Sequence, residues 1–255
     1  MNPIAIVQAR MGSTRLPGKV LMPLAGRPVL EHVVERLSYC KTLASTVVAT
    51  TTEMSDDAIV DFCERAGVAV FRGSEEDVLD RFHRAAREFD ADPIVRITAD
   101  CPAIDPVIVD EVVTGFLSGE YDLYGLTGEF PDGLDCTVFA RSGLARAWQE
   151  ATLPSEREHV GPYIQNHPEL FTTGGIELFD GQGHQRWTLD VAEDYQLLTV
   201  IFDALYDPAR PFSSDDVIEF LEMHAEYLVI NDNVTRNEGY MTSLESDGDP
   251  DVHPI

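Results

Sequence analysis

Cations, hydroxyls and glycines crowd into one stretch of this 255-residue chain, Ile6 to Lys19 (IVQARMGSTRLPGK), where Arg10, Arg15 and Lys19 are interleaved with Gly12, Ser13, Thr14 and Gly18. Such a mixture suits an anion: glycines let backbone N–H groups approach phosphate oxygens, and the cations add charge and directional donors. The spacing is not that of a P-loop. Five residues rather than four separate Gly12 from Gly18, and Val20 stands where a metal-binding hydroxyl would follow the lysine. Pro17 biases Leu16 away from helix, so Arg15 to Lys19 are expected to stay extended over the ligand. A merely basic surface loop has the same composition, so partners elsewhere in the chain must decide. Asp100 follows the apolar run PIVRIT and Asp190 follows RWTL, and both are expected at strand ends. Hard cations such as Mg²⁺ take one or two carboxylates from a protein and their other oxygens from phosphate and water, which makes Asp100 and Asp190 the candidate metal pair. The competing role is a helix cap, for Asp190 before Ala192 to Asp194 in particular.

Periodicity predicts the elements that must position these groups. Ile4 to Val7 are apolar without alternation, as in a central strand covered on both faces, and the loop leaves its carboxyl end, where open α/β sheets bind ligands. Val29 to Leu37 repeat at helical spacing after Pro28, and Ser45 to Thr51 read as a second strand. Asp56 is expected to cap a helix through Arg65 that Gly67 ends, with a third strand over Val68 to Phe71. A helix from Val78 to Phe89, the strand PIVRIT and a helix opened by Asp105 and Pro106 complete an alternation that predicts an α/β fold with a mostly parallel, helix-covered sheet. From Tyr121 the pattern changes. YDLYGL, the GEFPDGLD loop and CTVFA predict mixed or antiparallel strands around a turn. Helices are expected over Leu144 to Ala151 and Glu156 to Gln165, strands over Phe171 to Phe179 and Trp187 to Leu189, and helices over Leu197 to Leu205 and Val217 to His224. The reading is one domain over residues 1–242, with a mixed-strand insertion at about 121–180, and a flexible acidic tail over 243–255.

Composition excludes several classes. With 18 basic against 45 acidic residues, a net charge of −27 repels nucleic acid and anionic lipid. No apolar run approaches the roughly 18 residues that span a membrane, and the amino terminus has no signal-peptide shape, so a soluble cytoplasmic protein is expected. Only Lys19 and Lys41 among the cations are lysines, a pattern that resembles proteins of salt-accumulating halophiles. The 4 cysteines contain no CxxC and the 7 histidines no HExxH, so neither a zinc site nor a disulfide framework is indicated.

The segment ARMGSTRLPGKVLMPLAGRPVLEHVVERL resembles the opening of the cytidylyltransferases that make CMP-sugars, the CMP-Kdo synthetases and acylneuraminate cytidylyltransferases. The spore-coat polysaccharide biosynthesis branch of that superfamily is similar over roughly residues 3–242, down to RNEGY at Arg236 to Tyr240. The resemblance implies a GT-A-like nucleotidyltransferase fold, transfer of CMP from CTP to a sugar acid, Mg²⁺ as cofactor and a homodimer. It implies catalytic roles for Lys19, Arg15, Asp100 and Asp190, since TADCP and TLDVAED match the two metal aspartates. It also implies nucleotide contacts from Ala9, Arg10, Gly12, Ser13, Lys19, Arg72 and Thr98. Arg72 looks like the arginine on the cytosine side of the pocket, with Asp77 and Arg81 behind it, although helical spacing equally allows those two a solvated ion pair. Two positions depart from the pattern. Thr98 stands where CMP-Kdo synthetases carry glutamine, and Val20 where acylneuraminate enzymes often carry asparagine. The sugar acid is expected to meet Arg157 and His159 with its carboxylate and Asp132 or Asp135 with its hydroxyls, against a turn and an exposed helix face as the plainer readings.

Two other functions compete. A glycosyltransferase on the same fold would want a DxD motif at a strand end, and the site reads Asp100-Cys101-Pro102. A nucleotide-binding module without chemistry would have lost Lys19 or an aspartate, and all three are present.

Overall fold

Along the first strand, β1 (Ile4–Gln8), Ile4 and Ile6 face one side and Ala5 and Val7 the other, and all four are buried. A strand apolar on both faces belongs in the middle of a covered sheet. The computed structural model, which describes residues 1–248, puts it there. The other strands are β2 (Pro23–Leu24), β3 (Arg27–Pro28), β4 (Ser45–Thr51), β5 (Ala69–Gly73), β6 (Ile94–Thr98), β7 (Leu123–Thr127), β8 (Thr137–Phe139) and β9 (Thr173–Glu177). The helices are α1 (Val29–Leu37), α2 (Asp57–Ala66), α3 (Val78–Glu88), α4 (Pro106–Leu117), α5 (Arg141–Glu150), α6 (Pro154–His159), α7 (Pro162–Asn166), α8 (Ala192–Leu205), α9 (Ser214–Met223) and α10 (Glu238–Asp247).

Seven strands form one sheet in the order β5-β4-β1-β6-β8-β7-β9, while β2 and β3 pair by themselves. The first four of these run parallel, as the strand–helix alternation predicts. β8 then runs antiparallel to both β6 and β7, the mixed pairing expected after Tyr121. One core, with Ala5, Val7, Val48 and Ile97, lies under α1, α4 and α8; the other, with Ile4, Ile6, Val47 and Ile94, lies under α3 and α5. Among the described residues no helix is long and apolar enough to cross a membrane.

Four expectations fail locally. Arg15 to Lys19 do not stay extended: the chain turns at Gly18, with φ of 75°, and Lys19–Leu21 form a short 3₁₀ helix. The helix expected over Glu156 to Gln165 is two, because Val160 takes φ of 70° before Gly161 and Pro162, and Pro162 restarts the chain as the first residue of α7. Trp187 to Leu189 form no strand and leave a single bridge between Asp132 and Arg186. The expected flexible tail begins inside a helix, since α10 runs to Asp247; residues 249–255 of that expectation lie outside the described residues.

Candidate active site

The anion loop is built on the carboxyl end of β1. The Ala9 N–H donates to the Ala49 carbonyl at 3.1 Å, and both the Ser13 and Gly18 N–H groups donate to the Met11 carbonyl at 2.9 Å. Gly18 can reverse the chain in the left-handed region without strain, which turns Lys19 back beneath the loop. Asp56 anchors the whole turn. Its buried carboxylate accepts the Met11 N–H at 2.8 Å, the Thr50 and Thr51 hydroxyls at 2.9 and 2.6 Å and the Thr51 N–H at 3.1 Å. Burial alone would raise this carboxyl, but the Thr51 hydroxyl and the other donors hold it below the usual range. It is therefore a brace for the loop and not the side-chain cap of α2.

Lys19 reaches both predicted aspartates. Its Nζ donates to Asp100 Oδ2 at 2.6 Å and to Asp190 Oδ1 at 2.7 Å. Burial opposes the ammonium, yet Asp100 and Asp190 raise its pKa overall. Asp190 also meets Arg15 at 3.0 Å and Arg186 at 2.7 Å; burial works against its charge, but Lys19 and the arginines bring it down to about 2. The capping alternative for Asp190 fails because Asp194 does that work, accepting the Asp190 and Val191 N–H groups at 2.8 and 3.1 Å. Backbone ties the two acids together: the Leu189 N–H donates to the Asp100 carbonyl at 2.8 Å.

Around this cluster opens a cavity of about 720 Å³, in the range of small-molecule sites. Of the predicted residues Ala9, Arg10, Ser13, Arg15, Lys19, Thr98, Asp100, His159 and Asp190 lie on its wall. Gly12, Arg72, Asp132, Asp135 and Arg157 do not. Arg72 is pinned on the edge strand by the Thr51 and Glu53 carbonyls, each at 2.9 Å, and by Asp57 at 2.7 Å, so the arginine expected beside the base is committed elsewhere. Arg157, expected to meet the sugar carboxylate, is buried against Asp77 and donates to the Trp148 carbonyl at 2.7 Å. Asp77 thus belongs to Arg157, and Arg81 is left without it. Asp132 stands one step back, paired with the Arg186 that also holds Asp190 and Asp194. Asp135 accepts the Gly133 N–H at 3.0 Å within its own turn.

Sequence reasoning missed two parts of the wall. Arg96 lies in the middle of PIVRIT, and a lone charge inside a strand otherwise apolar on a covered sheet was the available signal. The other part is α10, whose Glu238, Thr242, Ser243 and Ser246 line the cavity. Glu238 pairs with Arg15 at 2.5 Å, Ser243 meets His159 at 3.0 Å, and Asp247 accepts from Ser155 at 2.6 Å, so this helix is fastened across α6.

A family profile described as cytidylyltransferase matches residues 4–209. The chain belongs to the cytidylyltransferase family. Within it, the chain is 39% identical over 245 residues to the uncharacterized protein MJ1063 of Methanocaldococcus jannaschii, covering 94% of this chain and 98% of that one. It is 36% identical to the spore coat polysaccharide biosynthesis protein SpsF of Bacillus subtilis, covering 89% and 97%. A solved cytidylyltransferase from Leptospira borgpetersenii superposes with a TM-score of 0.86 at 34% identity, over 92% of this chain and 99% of that one. The mostly parallel sheet is accordingly a nucleotidyltransferase fold, and the loop and the two aspartates lie within the stretch matched by the cytidylyltransferase profile, while the part of the cavity wall that α10 supplies lies beyond it.

Proposed function

We propose that this cytidylyltransferase transfers CMP from CTP to a hydroxyl of a sugar acid, of ulosonic or acylneuraminate type, with release of pyrophosphate, in the cytoplasm. The observation that carries the reading is Lys19 held between Asp100 and Asp190 at the mouth of the anion loop. A single cation already bridges these two carboxylates. Their hard oxygens suit Mg²⁺, and among the described residues no third acidic, histidine or cysteine side chain joins them, which leaves the remaining coordination to phosphate and water. When bound there, the ion would neutralise charge on the phosphates.

The protein's own part is positioning and charge. Arg15 and Lys19, with the loop N–H groups, hold the β- and γ-phosphates as a leaving group. The sugar hydroxyl gives up its proton to solvent as its oxygen bonds to the α-phosphorus, the bond from that phosphorus to the bridging oxygen of the β-phosphate breaks, and the pyrophosphate departs toward these cations. No covalent intermediate on the protein is required. The relatedness to a polysaccharide biosynthesis protein supports an acceptor destined for a surface polymer.

The test is pyrophosphate release from CTP with Mg²⁺ over a panel of ulosonic and acylneuraminic acids. We expect turnover with CTP and at least one such acid, reduced about 100-fold or more in Asp100→Asn with the fold retained. Turnover in Asp100→Asn close to that of the natural chain would remove the metal role.

A further inference from the structure

Among the described residues, three buried side-chain polar atoms lack a hydrogen-bond partner: Gln8 Oε1, Arg81 Nε and Arg96 Nε. All three belong to residues on the wall of the same cavity. Orphaned buried polar groups are rare and costly, and three gathered around one space point to something that fills it. The sheet brings two of them to one face. Gln8 is in register with Thr98, and Ile6 with Arg96, so Gln8 and Arg96 lie on the face of Ile4, Ile6 and Ile94 that α3 covers. Arg81 comes down from α3, 1% exposed, with the Ser74 carbonyl at 2.6 Å as its one side-chain partner among the described residues. The Arg96 guanidinium has neither a hydrogen bond nor an ion pair among them. In a chain with 45 acidic residues, two buried guanidiniums that make no ion pair among the described residues leave donors for an acceptor that arrives from outside.

We propose that Gln8, Arg81 and Arg96 form the subsite that reads the pyrimidine base, the two guanidiniums donating to cytosine O2 and N3 and the Gln8 carbonyl accepting from the N4 amine. The assignment rests on the CTP reading above. The phosphate end of the cavity is already occupied by Lys19, Arg15 and the two aspartates, and Ala9, Val78 and Ala99 add apolar wall for a flat ring. Cytosine presents two acceptors and one donor, the complement of the orphaned set. Uracil carries a hydrogen on N3. Arginine has no acceptor, so that hydrogen would face a donor whichever way Gln8 is turned.

The experiment is calorimetric binding of CTP, UTP and inorganic triphosphate, each with Mg²⁺, to the natural chain, Arg96→Met and Gln8→Leu. The natural chain should prefer CTP to UTP, and each variant should lower that preference about tenfold or more while triphosphate binding stays the same. Gln8→Leu, a smaller change, carries the test should Arg96→Met not fold. An unchanged CTP to UTP ratio in folded variants overturns the assignment, as does an equal loss of triphosphate, which would make Arg96 a phosphate ligand. If the natural chain binds triphosphate but does not favour CTP, the CTP reading itself falls.

Discussion

Lys19 is one positive charge facing two carboxylates in a partly buried place, and its removal leaves Asp100 without an ion-pair partner among the described residues while Asp190 keeps Arg15 and Arg186. Unpaired buried charge is strongly destabilising, by about 3–5 kcal/mol when one partner of a buried pair is lost. Lys19→Met should therefore unfold at lower temperature than the natural chain and regain more stability on addition of Mg²⁺, because the ion can take the place of the ammonium. Equal Mg²⁺ shifts in the two proteins, measured by thermal unfolding, would falsify the bridging role. Asp132 gives a pH signature. Burial first and Asp135 next push its carboxyl up to about 6 against the pull of Arg186. Between about pH 4 and 6 the folded chain then holds a proton that the unfolded chain has lost, so stability falls as pH rises through that window, by at most about 3 kcal/mol. Urea unfolding at pH 4.5 and 6.5 should show a smaller fall in Asp132→Asn; the same fall in both proteins would assign it to other groups. Asp100 was legible in the sequence because it follows the end of β6, Lys19 because it closes a loop of glycines, hydroxyls and cations, and Asp190 because of the TLDVAED resemblance, although no strand directly precedes it. The commitment of Arg157 to Asp77, 80 residues earlier, was not: nothing local distinguishes an arginine that finds a buried partner from one that waits for a ligand.

At the scale of elements, β1, α1, β4, α3 and β6 follow from period and punctuation with ends within a residue or two of expectation, and α4 opens at Pro106 as expected. The failures share a cause. Val160 in the left-handed region and the single bridge at Arg186 are imposed by distant packing rather than by local preference, and α10 is held in place by α6 and Arg15. Gly133 shows how tight that packing is. It has φ of 105°, and a Cβ there would lie 2.7 Å from both the Trp187 carbonyl carbon and the Thr188 nitrogen, which are backbone atoms that cannot swing aside. Gly133→Ala should cost about 2–4 kcal/mol through strain and forced displacement. Because the displaced segment leads into Asp190, activity should fall along with stability. A change under about 0.5 kcal/mol in urea unfolding would show that the segment yields freely.

Taken as a whole, the molecule carries a net charge of −27, and its self-repulsion is felt at long range when salt is low. The screening length shortens from about 30 Å at 0.01 M to about 3 Å at 1 M. Melting temperature should rise by about 4 °C or more between 0.05 and 1 M KCl, roughly 1–2 kcal/mol for a domain of this size. A flat or falling melting temperature would mean that ion pairs such as those of Arg186 outweigh the general repulsion. The bond from the Leu189 N–H to the Asp100 carbonyl has a different reach. It couples the two carboxylates beside Lys19 through backbone, a link that no side-chain substitution removes by itself. Positions between β7 and α8 that touch neither this bond nor the contacts of Gly133 and Arg186 can therefore drift in sequence over generations while the spacing of the two acids is inherited unchanged.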